Sequence, residues 1–318
     1  MKHRWHNITF NITLNLIFII TTATAGMASA PQKAPLHFVF DMDDTLIRWI
    51  RPNEKVSGTV IPAIGDIGGY RYRVLDGAPE LIASLLKDHP GVKISFYSNG
   101  DRTRNHIILK ELKLPDGRPV FDIAHKIFSN SDVEKVPAAA APRQNNGYGI
   151  FNSGTKEYWK KDLKKIVSDG ESTANVVLID DNPAFVKKGQ EKNLLFAGKK
   201  PDAHLTAINE LGNKSVEKFF TDRAKLARVR GIIDRAYELA RTEGIFISDA
   251  LWKIQWTTNN AGNLSYREEL LRDMKLYRRG FKRLRSVNPS FRLATAIPGT
   301  TPLGCTTRHL RQILKNPQ

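Results

Sequence analysis

Cysteine is almost absent. Cys305 stands alone in 318 residues, so no disulfide can form within the chain, whatever the compartment. The start of the chain has no cysteine at all, which excludes a lipid-modified lipoprotein terminus. Acidic residues are in the minority, 32 against 49 Lys and Arg, and the net charge of +17 puts anionic partners among the readings to weigh. Long apolar runs are missing too. The most apolar stretch, Ile12 to Ile20, is interrupted by Thr13 and Asn15 and falls short of the roughly 20 residues a spanning helix needs, so no stable transmembrane domain is expected. Lys2 and Arg4 precede it, and small residues from Ala23 to Ala30 follow. That order reads as an export signal cut after Ala25 or Ala28, with Pro31 disfavouring a cut after Ala30. Residues 1–28 are therefore expected to be a signal peptide, giving a periplasmic or secreted product, or an anchored one if the segment stays uncleaved.

The apolar runs that do occur are short and end in polar chemistry. Leu36 to Phe40 reads as a strand buried on both faces, and it stops at Asp41, Asp43 and Asp44. Carboxylates this close repel, so a fold that holds them together needs a cation between them. A calcium loop of the EF-hand type is excluded, because Leu46 stands where that loop requires glycine. Val92 to Tyr97 is a second strand, ending in Ser98-Asn99-Gly100-Asp101 at the start of a helix, a place suited to binding an anion. Asn175 to Ile179 is a third, ending in Asp180-Asp181-Asn182-Pro183, and Leu194 to Gly198 reads as one further strand. Carboxylates at the carboxyl ends of parallel strands make an oxygen-rich site suited to Mg²⁺.

Between these strands, Gly58–Ile61 and Tyr70–Leu75 are expected to form short strands of an insert, and Pro79 to open a helix with Leu81, Ile82, Leu85 and Leu86 on its apolar face. Pro115 to Tyr158 reads as mostly loop, with a low-complexity Ala/Pro run from Pro137 to Pro142. Glu157 to Ile166 is lysine-rich and reads as a mostly solvated helix face, with Asp162 at the surface.

Asp41-x-Asp43-x-Thr45 resembles the first motif of the haloacid dehalogenase superfamily. The strand ending in Ser98, a downstream lysine and the Asp180-Asp181 pair resemble its second, third and fourth motifs, in order. Lys161-Asp162-Leu163 is similar to the lysine motif of the RNA polymerase C-terminal-domain phosphatase-like (NLI-interacting-factor-like) branch. The resemblance covers roughly residues 36–198. It implies an α/β fold: a Rossmann-like parallel sheet with flanking helices and a small flap insert after the first strand. It also implies a phosphatase that hydrolyses phosphate monoesters through an aspartyl-phosphate. Asp41 would be the nucleophile and Asp43 the acid and base. Ser98, Asn99 and Lys161 would bind the phosphoryl group. Asp41, Asp43, Asp180 and Asp181 would surround Mg²⁺, with Asp181 favoured over Asp180 as the direct ligand. Because the signal segment, the Ala/Pro excursion and the C-terminal region lie outside the branch's pattern, the substrate is left as a phosphorylated molecule, small or protein.

The domains are drawn as 29–213 for the phosphatase-like part and 214–318 for a basic, mostly helical C-terminal region. Val216, Phe219, Leu226, Val229, Ile233, Ala236, Tyr237 and Ala240 follow helical spacing; Ile245–Trp256 is a second helix, and Ser265-x-x-Glu268 reads as a capping box opening a third through about Arg285. The region holds 21 Lys and Arg against 9 Asp and Glu, densest at Tyr277–Arg285. Two readings stand: a soluble helix face, or a surface for an anionic lipid, nucleic acid or acidic substrate. The alternative to an enzyme is thus a non-catalytic phosphate- or anion-binding envelope protein that uses this basic region.

Overall fold

The apolar runs become one parallel sheet because each is flanked by a helix or loop long enough to carry the chain back to the starting edge. The computed structural model describes residues 35–52, 54–62, 70–137, 157–168, 171–198, 220, 222–258 and 264–294. The expected signal segment, the Ala/Pro run beyond residue 137, and Val216 and Phe219 lie outside the described residues. Strand β1 (His37–Phe40) is central and buried along its whole length. It pairs in parallel with β5 (Lys93–Tyr97) on one side and β9 (Val176–Asp180) on the other. The outer strands are β6 (Lys126–Phe128) and β10 (Leu194–Phe196), giving the order β10-β9-β1-β5-β6. Chain order reverses direction at β1, and that is where open α/β sheets place their ligands.

Right after β1, the strands β2 (Ile47–Ile50), β3 (Val60–Ile61) and β4 (Arg71–Val74) form a separate antiparallel sheet in the order β2-β4-β3. This is the insert, one strand larger than the two strands read from the sequence. Helix α1 (Ala78–Asp88) returns the chain to β5, and α2 (Arg102–Glu111) follows β5 with Asp101 as its N-cap, accepting from the amides of Thr103 and Arg104 at 2.8 and 3.2 Å. A second antiparallel pair joins β7 (Glu134–Pro137) to β8 (Glu157–Lys160).

Three expectations are corrected here. Among the described residues of the 115–158 segment, Lys126–Phe128 supplies an edge of the main sheet where loop was expected; three residues are too few to show a period. The lysine-rich 157–166 segment is a strand and a 3₁₀ turn rather than a helix. Its backbone is drawn into a ladder, with the Lys161 amide donating to the Phe185 carbonyl at 2.7 Å and the Lys187 amide to the Lys161 carbonyl at 3.3 Å. Ser265 caps no helix. It lies in β12 (Leu264–Tyr266), paired with β11 (Trp256–Thr258), because Tyr266 is buried between Trp256 and Phe196 at ring distances of 5.7 and 5.1 Å. The last helix among the described residues, α5 (Met274–Val287), starts nine residues later, capped by Asp273, whose carboxylate accepts from the Lys275 amide.

The C-terminal helices are not packed as a region apart from the sheet. Helices α3 (Lys225–Glu243), α4 (Ile247–Gln255) and α5 share one continuous apolar core with β1, β5, β9 and α1. Polar groups seal the join. Gln255 is fully buried and covers the open edge of β10: its Oε1 accepts from the Phe196 amide at 3.0 Å and its Nε2 donates to the Leu194 carbonyl at 2.9 Å. Arg228 donates to the Ala197 carbonyl at 2.7 Å, and Arg230 to Ser84 at 2.9 Å and to Asp88 and Asp234. Helices α3 and α5 touch backbone to backbone. A Cβ on Gly280 would lie 1.7 Å from the Ala227 carbonyl oxygen, and one on Gly231 would lie 2.1 Å from that of Leu276.

Candidate active site

The turn after β1 is tied by one oxygen. The Met42 carbonyl accepts from the amides of Leu46 and Ile47 at 2.9 and 3.0 Å, which folds Asp41 to Thr45 into a tight loop at the sheet's carboxyl edge. Asp44 carries the strain of that turn, with φ of 57°, the left-handed region that side chains other than those of Asn, Asp and Gly rarely enter. Both of its ends are held. Arg48 pairs with its carboxylate, and the buried Lys225 ammonium, arriving from α3, donates to its carbonyl oxygen.

Asp41, Asp180 and Asp181 converge, with one carboxylate oxygen from each lying within 4.8 Å of the others. Lys161 is fully buried among them, its ammonium 2.6 Å from Asp41 Oδ1 and 2.7 Å from Asp180 Oδ2. Lys160 precedes it in the extended segment and so points the other way, to the Ala184 carbonyl. The other Asp180 oxygen accepts from the Asn182 amide at 2.7 Å, and the Asp181 amide donates to Thr45 Oγ1 at 3.2 Å. Burial alone would lower the Lys161 pKa, but Asp180 and Asp41 outweigh it and raise it. Two buried ammoniums, Lys161 and Lys225, do not offset the burial and mutual repulsion of three acids. Burial holds the Asp41 carboxyl well above the usual range despite Lys161, with Asp180 and Asp181 adding repulsion. Burial and then Asp180 push Asp181 up to about 7. Three oxygen donors with surplus negative charge fit a hard divalent cation such as Mg²⁺, which takes one or two carboxylates and completes its shell with water and phosphate oxygens.

Asp43 does not join that cluster. Its two carboxylate oxygens are taken by Arg104, Nη1 donating to Oδ2 at 2.9 Å and Nη2 to Oδ1. Ser98 Oγ donates to Asp43 Oδ2 at 3.3 Å and accepts from the Gly100 amide at 3.0 Å. Asn99 stands beside it with its side-chain oxygen buried and unpartnered. The four carboxylates expected around one ion are therefore divided. Asp41, Asp180 and Asp181 face one another, and the side chain of Asp43 is held aside by Arg104. Asp181 is not separated from Asp180 as the sole ligand, since both contribute an oxygen to the cluster.

Asp162 is not a surface residue. It is buried, accepting from Gln190 Nε2 at 2.7 Å, Lys187 Nζ at 2.8 Å and the Lys164 amide at 3.0 Å. Two residues at the site carry no signal that pattern reading detects. Arg104 lies 61 positions from Asp43 in a helix that looks solvated, and Lys225 lies 181 positions from Asp44 inside a basic stretch. The dense basic run of α5 is partly spent within the chain. Arg279 donates to Glu238 at 2.7 Å, Arg283 to Asp234 at 2.8 Å, and Tyr277, Gly280, Phe281 and Leu284 are buried.

No protein-family profile and no curated protein matches the chain. Solved structures to which it is similar include two of an RNA polymerase II CTD phosphatase. A structure of the fission yeast RNA polymerase II CTD phosphatase Fcp1, a variant bound to beryllium fluoride, is 14% identical over 89% of this chain and 79% of that one, with a TM-score of 0.33. A structure of Fcp1 described as an essential RNA polymerase II CTD phosphatase is 16% identical over 85% and 75%, with a TM-score of 0.32. Likeness of this degree leaves the activity to be argued from the site itself.

Proposed function

We propose that the protein is an exported, Mg²⁺-dependent phosphatase that hydrolyses phosphate monoesters through an aspartyl-phosphate on Asp41. One observation carries the reading. At the carboxyl edge of a parallel sheet, a buried lysine bridges Asp41 and Asp180 with Asp181 beside them, while a second aspartate two residues from Asp41 is held apart. In this reading Asp41 attacks phosphorus, and Asp43 protonates the leaving oxygen and then activates water for the second step. The Lys161 ammonium and the Ser98 hydroxyl hold phosphoryl oxygens, and the Asn99 side-chain amide adds a further contact. Asp41, Asp180 and Asp181 would hold Mg²⁺, which would supply charge neutralisation for the phosphoryl oxygens. The substrate is a phosphorylated molecule, small or protein.

Release of phosphate from a panel of phosphoesters, with Mg²⁺ or with chelator, tests this against Asp41→Asn as the blank. Turnover that persists in chelator, or in Asp41→Asn, rejects it. Export rests on the N-terminal segment, and N-terminal sequencing of the envelope-derived protein tests it: a start near Gly26 or Ser29 supports cleavage, and a start at Met1 rejects it.

A further inference from the structure

The arginine that holds Asp43 is itself held, and by the insert. Arg104 Nε donates to the Tyr72 hydroxyl at 3.1 Å, and its guanidinium lies 4.9 Å from the centroid of the Tyr72 ring. Its Nη1 also donates to Asn105 Oδ1 at 3.1 Å. Tyr72 belongs to β4 of the insert sheet and is itself buried. An arginine stacked on a ring, bonded through Nε and forked onto a carboxylate has little rotamer freedom left, so the carboxylate's orientation is set by the pair behind it. Exposure runs the right way for a reacting group. The Asp43 side chain is 40% exposed and Arg104 only 12%, so the acid is open to solvent and its support is largely shielded.

Charge explains why the support is needed. Asp43 is two residues from Asp41 and repels it. Freed of Arg104, its carboxylate would be drawn to the same cation as Asp41, Asp180 and Asp181, and would then be unavailable to the leaving group. Lysine at position 104 would keep the charge but lose the two-pronged geometry that fixes a plane.

We propose that Arg104, braced by Tyr72 of the insert, is a positioning residue that keeps Asp43 out of the metal-facing cluster and presents it to the leaving group. The insert is thereby joined to the acid–base step rather than being only a cover. This rests on the phosphatase reading above.

The test compares a poor leaving group, glycerol phosphate, with a good one, nitrophenyl phosphate, in Arg104→Met, Arg104→Lys and Tyr72→Phe. Losing the orientation of the acid should slow glycerol phosphate by about 10–100-fold in Arg104→Met, part of the loss that removing the acid brings. The nitrophenyl phosphate burst should stay within about threefold, with Arg104→Lys falling between. Tyr72→Phe keeps the ring and removes only the hydroxyl, so it should shift glycerol phosphate in the same direction by a smaller factor without unfolding the insert. Mg²⁺ affinity by calorimetry gives a readout independent of turnover: Asp43→Asn should change it by less than about threefold, and Asp181→Asn should weaken it at least tenfold. Equal slowing of both substrates, no slowing of either, or a loss of Mg²⁺ affinity in Asp43→Asn matching that in Asp181→Asn overturns the proposal while leaving the phosphatase standing. Absence of any Asp41-dependent turnover overturns both.

Discussion

Gly280 of α5 rests on the main chain of Ala227 in α3 so closely that a methyl group added to it would meet the Ala227 carbonyl oxygen at 1.7 Å. Neither backbone can yield without moving its helix, and Gly231 against Leu276 repeats the arrangement from the other side. Alanine is intrinsically a better helix residue than glycine by roughly 1 kcal/mol, but overpacking a rigid contact costs about 1–3 kcal/mol or more. Gly280→Ala should therefore destabilise the protein by about 1–2 kcal/mol in urea unfolding. Unchanged stability would mean the helices do not cross as closely as described.

The two aspartates of the first loop should separate by leaving group. Asp41→Asn removes the nucleophile and stops both steps. Asp43→Asn keeps it and loses the proton donor, so a serine phosphate should be slowed by roughly 10²–10⁴. Nitrophenyl phosphate should still form the phosphoenzyme, and rapid quench should show a burst in Asp43→Asn and none in Asp41→Asn. Mutants that behave alike with every leaving group would refute the separate roles.

Metal binding should depend on pH. In the metal-free protein, burial and Asp180 raise Asp181 from an ordinary 3.8 to about 7, so between those values the folded state holds a proton that the unfolded state has released. The metal-free protein should consequently lose stability as pH rises through that window, and Mg²⁺ should relieve the loss. Mg²⁺ must displace that proton and any held by Asp41, whose carboxyl is also raised, so its affinity should fall by about tenfold or more per pH unit below 7. Calorimetry at several pH values checks this, and Asp181→Asn should flatten the profile as well as weaken binding. Asp162→Asn should instead leave Mg²⁺ affinity intact and cost about 1–3 kcal/mol of stability, since it breaks a buried set of hydrogen bonds.

The basic run of α5 divides by partner. Arg283 bonds to Asp234, a buried acid that Arg230 also engages, whereas Arg279 and Glu238 are both substantially exposed. Arg279→Ala should cost less than about 1 kcal/mol, as exposed pairs do, and Arg283→Ala more. If the run also serves an anionic surface, reversing Arg278, Arg279, Lys282 and Arg283 should weaken adsorption to anionic vesicles without changing small-substrate turnover. Equal adsorption by both proteins would leave the run as a packing and solvation feature.

The strands that carry the motifs are legible in the sequence because each is an apolar run that ends abruptly in oxygen-bearing side chains. Asp41, Ser98 and the Asp180-Asp181 pair reach one sheet edge for that reason. Legibility fails where a residue's meaning lies in a distant partner. Lys225 and Arg104 have the local context of solvated helix residues, and only the folded chain brings them to Asp44 and Asp43. It fails also where two local preferences compete. Ser265-x-x-Glu268 has the spacing of a cap, but burying Tyr266 against Phe196 and Trp256 requires extended backbone. Lys160 and Lys161 look alike in a charge run, and the extended chain sends one to a carbonyl and the other to the acids.

The lysine under Asp44 carries a consequence for synthesis. Every motif residue has been synthesised once position 181 is made, yet the ammonium that braces the left-handed turn follows at 225, and α5, against which its helix packs, ends only at Val287. A nascent chain thus contains the reactive acids long before it contains their scaffold. A chain that stops short of Val287 would hold the acids without the helices that brace the turn carrying them.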